Sequence, residues 1–401
     1  MLTTSLLDSA RSLAPDIVAL RRAIHAEPEL GLHCPMTMAK VREALADVPL
    51  EWREGSSTTG AVATLTGGMA DAGSRRVLLR GDMDALPMDE KTGLDFASTI
   101  PGRMHACGHD THTAMLVGAV RLLAEQRSEL TGTIDFMFQP GEEGHHGARF
   151  MLDDGLIDPL PDAAFALHIM PNAPHRVLAG RAGPLMAAAD QFTIKVKGRG
   201  GHASMPHDCA DPVPAAAAII VAIQAMVTRR FKATNAVVVT VTQINAGTAH
   251  NVIPDEVTLG GTIRTLSADH RDKLHKLIAE TASQTASAYG VQAICELEFG
   301  FPVTNCDARA VALGQEVARQ IGGVEGWRDL PDPIMGAEDF SYILEKVPGA
   351  MFFLGVAPEG EDWTQCCAIH SPRMHVDETA LPHGAAMLAG CALEFLSDGF
   401  R

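Results

Sequence analysis

The sequence predicts an α/β protein in two parts. A domain on a mixed, largely parallel sheet is interrupted by an inserted ferredoxin-like βαββαβ domain. Three observations predict this. Helical and strand periodicities alternate through residues 1 to about 185. Between about 190 and 300 the order becomes strand, helix, two strands, helix, strand. After 302 the first alternation resumes. The first domain is therefore expected in 1–187 and 302–401, and the insert in 188–301.

In chain order, "DIVALRRAIHA" and "TMAKVREALAD" carry apolar positions at three-to-four spacing, the helical period. "RRVLLRGDMDAL" (75–86) and "GTIDFMFQPGEEG" (132–144) read as short apolar strands that run into loops rich in glycine, proline and acids. "HTAMLVGAVRLLAEQ" (112–126) reads as a buried helix. In the insert, "QFTIKVKG" is a strand, and "DPVPAAAAIIVAIQAMVTR" is a helix with prolines near its start, where they are tolerated. "AVVVTVTQINAG" and "EVTLGGTIRT" are close enough for an antiparallel pair. "SADHRDKLHKLIAETASQTASAYG" is a helix ending at glycine, and "VQAICELEFGFPV" is a strand. Afterwards "DARAVALGQEVARQIG" is helical, "AMFFLG" is a strand and "DETALPHGAAMLAGCALEFL" is a closing helix.

Composition excludes some functions. The 401 residues are 46% hydrophobic and 20% charged, so cores can form and nothing suggests disorder. A net charge of −17 argues against nucleic acid and anionic membrane surfaces as partners. No apolar run is expected to span a membrane, and the N-terminus lacks a secretory pattern. The 8 cysteines are scattered, which fits a reducing cytoplasm better than a disulfide framework.

The chemically loaded loops follow strand candidates, where ligands gather in such sheets. "FQPGEEG" displays Glu142 and Glu143 side by side after a Pro-Gly turn. A bare acidic pair is more often solvated. Adjacent carboxylates on a turn nevertheless point apart, so one could bind a metal while the other faces a reacting water. His168 lies at the end of an apolar strand, where a lone histidine is more often structural. His370 and His375 follow a cysteine pair, and either could be a ligand. Asp82 and Asp84 follow a strand, as ligands or as groups that orient a histidine.

"GRMHACGHDTHTAM" places Cys107 and His109 around Gly108. Thiolate, imidazole and carboxylate together suit zinc, cobalt, nickel or manganese. The cysteine spacing fits no structural zinc finger. Cys107, His109, Glu143, His168 and His370 are too many ligands for one tetrahedral ion with an open position, and about right for two ions. His112 reads as the start of the packed helix, with His105 and Asp110 as supporting neighbours. The chain has no phosphate-cradling loop, no full dinucleotide fingerprint and no G-x-S-x-G elbow. Cys107 as a nucleophile stays open, although a base two residues away is unusual.

Taken together, "RRAIHAEPELG", "RGDMDALPM", "MHACGHDTHTAML", "FQPGEEG", "ALHIMP", "GRGGHASMPH", "GTAHNVIPDEVTLGGTIRT", "MGAEDFSYIL" and "IHSPRMHVDE" resemble the aminoacylase–carboxypeptidase family of di-metal amidohydrolases. The branch is that of the hippurate hydrolases and plant-type indoleacetyl-amino-acid hydrolases. The resemblance covers nearly the whole chain. It implies a di-zinc exopeptidase-like catalytic domain and a homodimer formed through the insert. It implies that Cys107, His109, Glu143, His168 and His370 bind two divalent ions (Zn, Mn, Co or Ni). It further implies Glu142 as general base, Asp84 as an acid supporting the site, and His202 as a histidine that reaches the partner subunit's site. Asn251 and Arg264 match positions that hold substrate carboxylate or oxyanion. Most branches carry His-x-Asp where this chain has Asp82-Met83-Asp84. The implied activity is hydrolysis of small N-acyl amino acids in the cytoplasm. The alternatives are a dipeptidase or carboxypeptidase, an N-acyl-diaminopimelate deacylase, and a catalytically dead relative that binds ligand or metal.

Overall fold

The computed structural model describes residues 2–401. The chain divides into two compact units: one runs up to Leu185 and includes Asn305–Asp332 and Asp339–Arg401, and the other comprises Met186–Thr304 and Pro333–Glu338.

The first unit holds an 8-stranded sheet. Its order is Glu51–Glu54, Ala61–Thr66, Thr133–Gln139, Arg76–Asp82, Ala163–Met170, Gly349–Gly355, Leu178–Gly180 and Trp327–Asp329. The central run from Thr133–Gln139 to Gly349–Gly355 is parallel. Antiparallel pairings flank it on both sides. The sheet is thus mixed, with the parallel part in the middle. Parallel strands are buried on both faces, and Arg76–Asp82, Ala163–Met170 and Gly349–Gly355 are accordingly buried along almost their whole length.

The helices Ala14–His25, His109–Glu125 and Leu381–Asp398 pack against one another and, through the last two, against Arg76–Asp82. His109–Glu125 is buried nearly all round, as expected of a central helix. Among the described residues, two helical stretches, Pro212–Arg230 and Glu378–Asp398 (a short turn running into Leu381–Asp398), are long and apolar enough to cross a membrane, contrary to the sequence expectation. The second is mostly buried, so its apolar character serves the core. The helix Leu2–Ser12 and the short strands Leu178–Gly180 and Trp327–Asp329 were not anticipated. Three-residue strands carry too little periodicity to be read.

In the second unit, the antiparallel order is Val237–Ala246, Glu256–Thr265, Ala188–Lys197, Gln292–Glu298. That is the ferredoxin-like arrangement. The helices Pro212–Arg230 and Ala268–Ala288 cover one face, with Phe192, Ile194, Leu259, Ile219, Ile223 and Ile278 in the core. Asp211 caps the first helix by accepting from Val213 N–H at 2.9 Å, and Ser267 caps the second. Gly290, at φ 72°, takes the left-handed conformation just beyond the second helix.

Asp190 interrupts this apolar core face. It accepts from Arg271 Nε at 2.8 Å, His275 Nε2 at 2.8 Å and Gly300 N–H at 2.9 Å. Burial would raise its carboxyl, but Arg271 and His275 outweigh that and hold it at about 2. A folded-state value below the ordinary carboxylate range gives stability that is present above about pH 4. That contribution is lost as pH falls toward 2. Asp190→Ala removes the acceptor and strands two buried donors. Chemical denaturation at pH 7 should show a loss of about 3–5 kcal/mol.

Candidate metal centre

The parallel strands end in register, with Asp82 beside Gln139. Their following segments therefore emerge together. The strand Thr133–Gln139 runs to Gln139, and then Pro140 and Gly141 turn the chain. Gly147 N–H donates to Gly141 O at 3.0 Å and closes this turn. A Cβ at Gly147 would lie 1.7 Å from Pro140 O, so only glycine fits there.

Asp84 holds the turn from the other side. Its Oδ1 accepts from Glu142 N–H at 2.9 Å, and its Oδ2 accepts from Glu143 N–H at 3.0 Å. The sequence left Asp82 and Asp84 open as ligands or orienting groups, and their contacts differ. Asp82 ends the strand and accepts from His112 Nδ1 at 2.6 Å, while Asp84 lies beyond it and binds the turn.

Gly108, at φ 87°, opens the helix that begins at His109. Cys107 Sγ lies 3.3 Å from His168 Nε2. His168 lies two residues before its strand ends at Met170, and its Nδ1 donates to Ile169 O at 2.6 Å. That bond puts the proton on Nδ1 and turns the Nε2 lone pair toward Cys107. Burial, then His112, depress His168 well below its ordinary range, so the ring is neutral. His370, at φ 65°, donates its N–H to Ala106 O at 2.7 Å and sets Nε2 3.4 Å from Glu143 Oε1. His109 Nε2 stands 3.9 Å from Glu143 Oε1 and 4.0 Å from Glu142 Oε2.

Among the described residues several donor trios have atoms within 4.8 Å of one another; two of them, Cys107–His109–His168 and Cys107–Glu143–His370, share the thiol, and a third, His109–Glu142–Glu143, joins both carboxylates of the turn. Both ring nitrogens of His109, and Oε1 of Glu143, are buried with no hydrogen-bond partner. Buried polar atoms left so are costly, and a cation is the partner this soft and hard donor set fits. Burial lowers His109, but Asp82 and Cys107 raise it well above the ordinary imidazole range. Cys107 and Glu143, close beside it, raise His370 to about 10. Protons thus occupy the positions that a cation would take.

His112 is more than a packed helix residue. Besides its bond to Asp82, its Nε2 accepts from Ile169 N–H at 2.9 Å, which excludes it as a ligand in this arrangement. Asp110 pairs with Arg21 at 2.7 Å and His25 at 2.8 Å. His105 is buried with neither ring nitrogen hydrogen-bonded. His375 belongs to none of these trios. Sequence reasoning missed Arg80, Gln139 and Asp339, which are buried beneath the turn. Arg80 lies two residues before its partner Asp82, but Gln139 and Asp339 join it only across the chain and leave no local pattern. His112, one helical turn after His109, was the only legible hint.

His202, Asn251 and Arg264 belong to the second unit. His202 pairs with Val252 in a two-stranded ribbon, and Asn251 O accepts from Ala203 N–H at 3.0 Å, so these two adjoin. Arg264 lies in the four-stranded sheet, opposite Val238 and Ala189.

Thiolate, imidazole and carboxylate donors around a carboxylate-bearing turn suit divalent ions of the kind that activate water for hydrolysis. The chain belongs to peptidase family M20/M25/M40, whose model matches residues 78–394. It is 37% identical to IAA-amino acid hydrolase ILR1-like 4 of Arabidopsis thaliana, over 95% of this chain and 86% of that protein. It is 35% identical to the N-acetyl-L-cysteine deacetylase of Bacillus subtilis, over 96% of this chain and 90% of that protein. The crystal structure of the Bacillus subtilis YXEP protein, described as a dinuclear metal binding peptidase from the M20 family, superposes with a TM-score of 0.83. That match covers 97% of this chain and 99% of the other, at 32% identity.

Metal uptake must displace protons from this site. With His370 at about 10, binding at pH 7 should release protons, and affinity should rise with pH. Calorimetric titration in buffers of different ionisation enthalpy measures that release. A pH-independent affinity with no proton release would contradict the site.

Proposed function

We propose that this chain hydrolyses the amide bond of small N-acyl amino acids in the cytoplasm. The site would use two divalent ions, Zn, Mn, Co or Ni. The observation that carries the reading is the pair of neighbouring carboxylates fixed by one acid. Glu143 sits with His370 and Cys107, and Glu142 stands within 4.0 Å of His109 as a member of neither Cys107 trio. The relatives named for an N-acyl and an IAA conjugate support the substrate class.

Bound ions supply Lewis-acid polarisation of the amide oxygen and acidify water. Cys107, His109, Glu143, His168 and His370 hold them. Glu142 accepts a proton from the attacking water and delivers it to the leaving nitrogen. Asp84 holds the turn that carries Glu142 and Glu143 through their N–H groups. The partner subunit's His202 donates to the oxyanion. Its ring supports this role: Nδ1 accepts from Ser204 N–H at 3.2 Å, so the proton resides on the exposed Nε2. Arg264, its Nη1 anchored on Ile263 O at 2.9 Å, grips the substrate carboxylate with Asn251 beside the scissile group.

Dimerisation through the insert is supported by two features. The helix Pro212–Arg230 exposes Val213, Pro214, Ala217, Val221 and Ala225, an uncharged face. The sheet edge Val237–Ala246 exposes Val238 and Ile244. The eight unpaired cysteines support the cytoplasm.

Glu142→Gln should lower kcat on hippurate and N-acetyl amino acids about 100- to 10,000-fold while the metal content is retained. Full activity in that variant would refute the role of Glu142. Preferential cleavage of dipeptides in the same screen would favour the peptidase alternative. Mixing Glu142→Gln and His202→Ala chains should restore activity in the heterodimer, which holds one intact composite site. No recovery despite demonstrated subunit exchange would refute the shared site.

A further inference from the structure

We propose that Arg80 and Asp339 are positioning residues that couple the Glu142–Glu143 turn to His168 through one buried relay, Asp339–Arg80–Asp82–His112. The proposal rests on the metal site described above and goes beyond its ligands.

At one end, a single carboxylate grips both ends of the turn. Asp339 Oδ2 accepts from Ala148 N–H at 2.9 Å, just past the turn. Its two oxygens accept from Gln139 Nε2 at 2.7 and 2.8 Å, just before it. Gln139 Oε1 in turn accepts from Arg80 Nε at 2.8 Å, so the amide has one orientation. Arg80 Nη2 donates to Asp339 Oδ1 at 3.0 Å.

The other face of the same guanidinium leads to the ligand. Arg80 Nη1 donates to Asp82 Oδ2 at 2.5 Å. Asp82 Oδ1 accepts from His112 Nδ1 at 2.6 Å, and His112 Nε2 accepts from Ile169 N–H at 2.9 Å. Ile169 O then accepts from His168 Nδ1 at 2.6 Å. Arg80, Asp82, His112, Gln139 and Asp339 are each at most 1% exposed. In a medium without water, each partner's position restricts the next, and a fully satisfied network resists distortion at any member.

Arginine is the residue that this junction requires. One planar fork serves an amide oxygen and two carboxylates along fixed directions, which a lysine ammonium would not reproduce. It is also the only cation in the relay, between Asp82 and Asp339. The ligand His168 and the turn bearing Glu142 and Glu143 therefore hang from one group. A shift of the turn is transmitted to the Nε2 that faces Cys107.

Contiguity alone does not establish coupling, so the test is a double-mutant cycle. Co(II) is titrated into wild type, Asp339→Asn, His112→Gln and the double variant, and affinity is read from the thiolate–cobalt absorption. Each single change should weaken Co(II) binding about 10- to 100-fold. The double variant should lose less than the product of the two by about threefold or more. A purely stabilising role would lower Tm in each variant and leave the losses multiplicative, and that result overturns the relay. Should Asp339→Asn not fold, Arg80→Lys replaces it in the cycle with the same expectations. Wild-type protein that binds Co(II) without a thiolate band would refute the metal site itself, and the relay with it.

Discussion

Two hydrogen bonds organise this molecule's chemistry, from Glu142 N–H and Glu143 N–H to the two oxygens of Asp84. Adjacent residues whose amides both bind one carboxylate are held here with their own carboxylates close together, each within 4.8 Å of the other and of His109. Glu143 goes to His370, and Glu142 lies within reach of His109. The backbone of one turn thus presents both carboxylates to the histidines. That turn can exist only because parallel strands end together and because Gly147 lets the chain close against Pro140.

The same device, a histidine whose protonation site is chosen by a backbone group, recurs in the two units. Ile169 O takes the Nδ1 proton of His168 and leaves an acceptor at Nε2. Ser204 N–H fills Nδ1 of His202 and leaves a donor at Nε2. Opposite tautomers result from opposite partners, a carbonyl in one case and an amide in the other. One ring is thereby suited to hold a cation and the other to donate a hydrogen bond.

Burying so many ionisable groups opposes folding. Both nitrogens of His109 and one oxygen of Glu143 lack partners. In the second unit the buried charge is fully compensated instead: Asp190 meets Arg271, His275 and an amide. The contrast separates a structural charge from a functional one. Satisfied networks stabilise a core, whereas unsatisfied donors converging on a point are kept for a ligand.

The α/β alternation, the βαββαβ insert and the five candidate ligands were legible because each rests on local periodicity or on residue types beside a strand end. His112 was read as packing, although its ring bridges Asp82 and Ile169. Arg80, Gln139 and Asp339 passed unread because a buried ion pair spanning 259 positions leaves no local trace. The mixed, largely parallel character of the sheet was read, but its short strands Leu178–Gly180 and Trp327–Asp329 were not, because three residues carry no period. The sequence by itself determined which donors exist and which elements carry them, since hydrophobic spacing dictates secondary structure. Only the tertiary structure decided their roles. A carboxylate or imidazole acquires its task from the partner that orients it, and those partners come from distant segments.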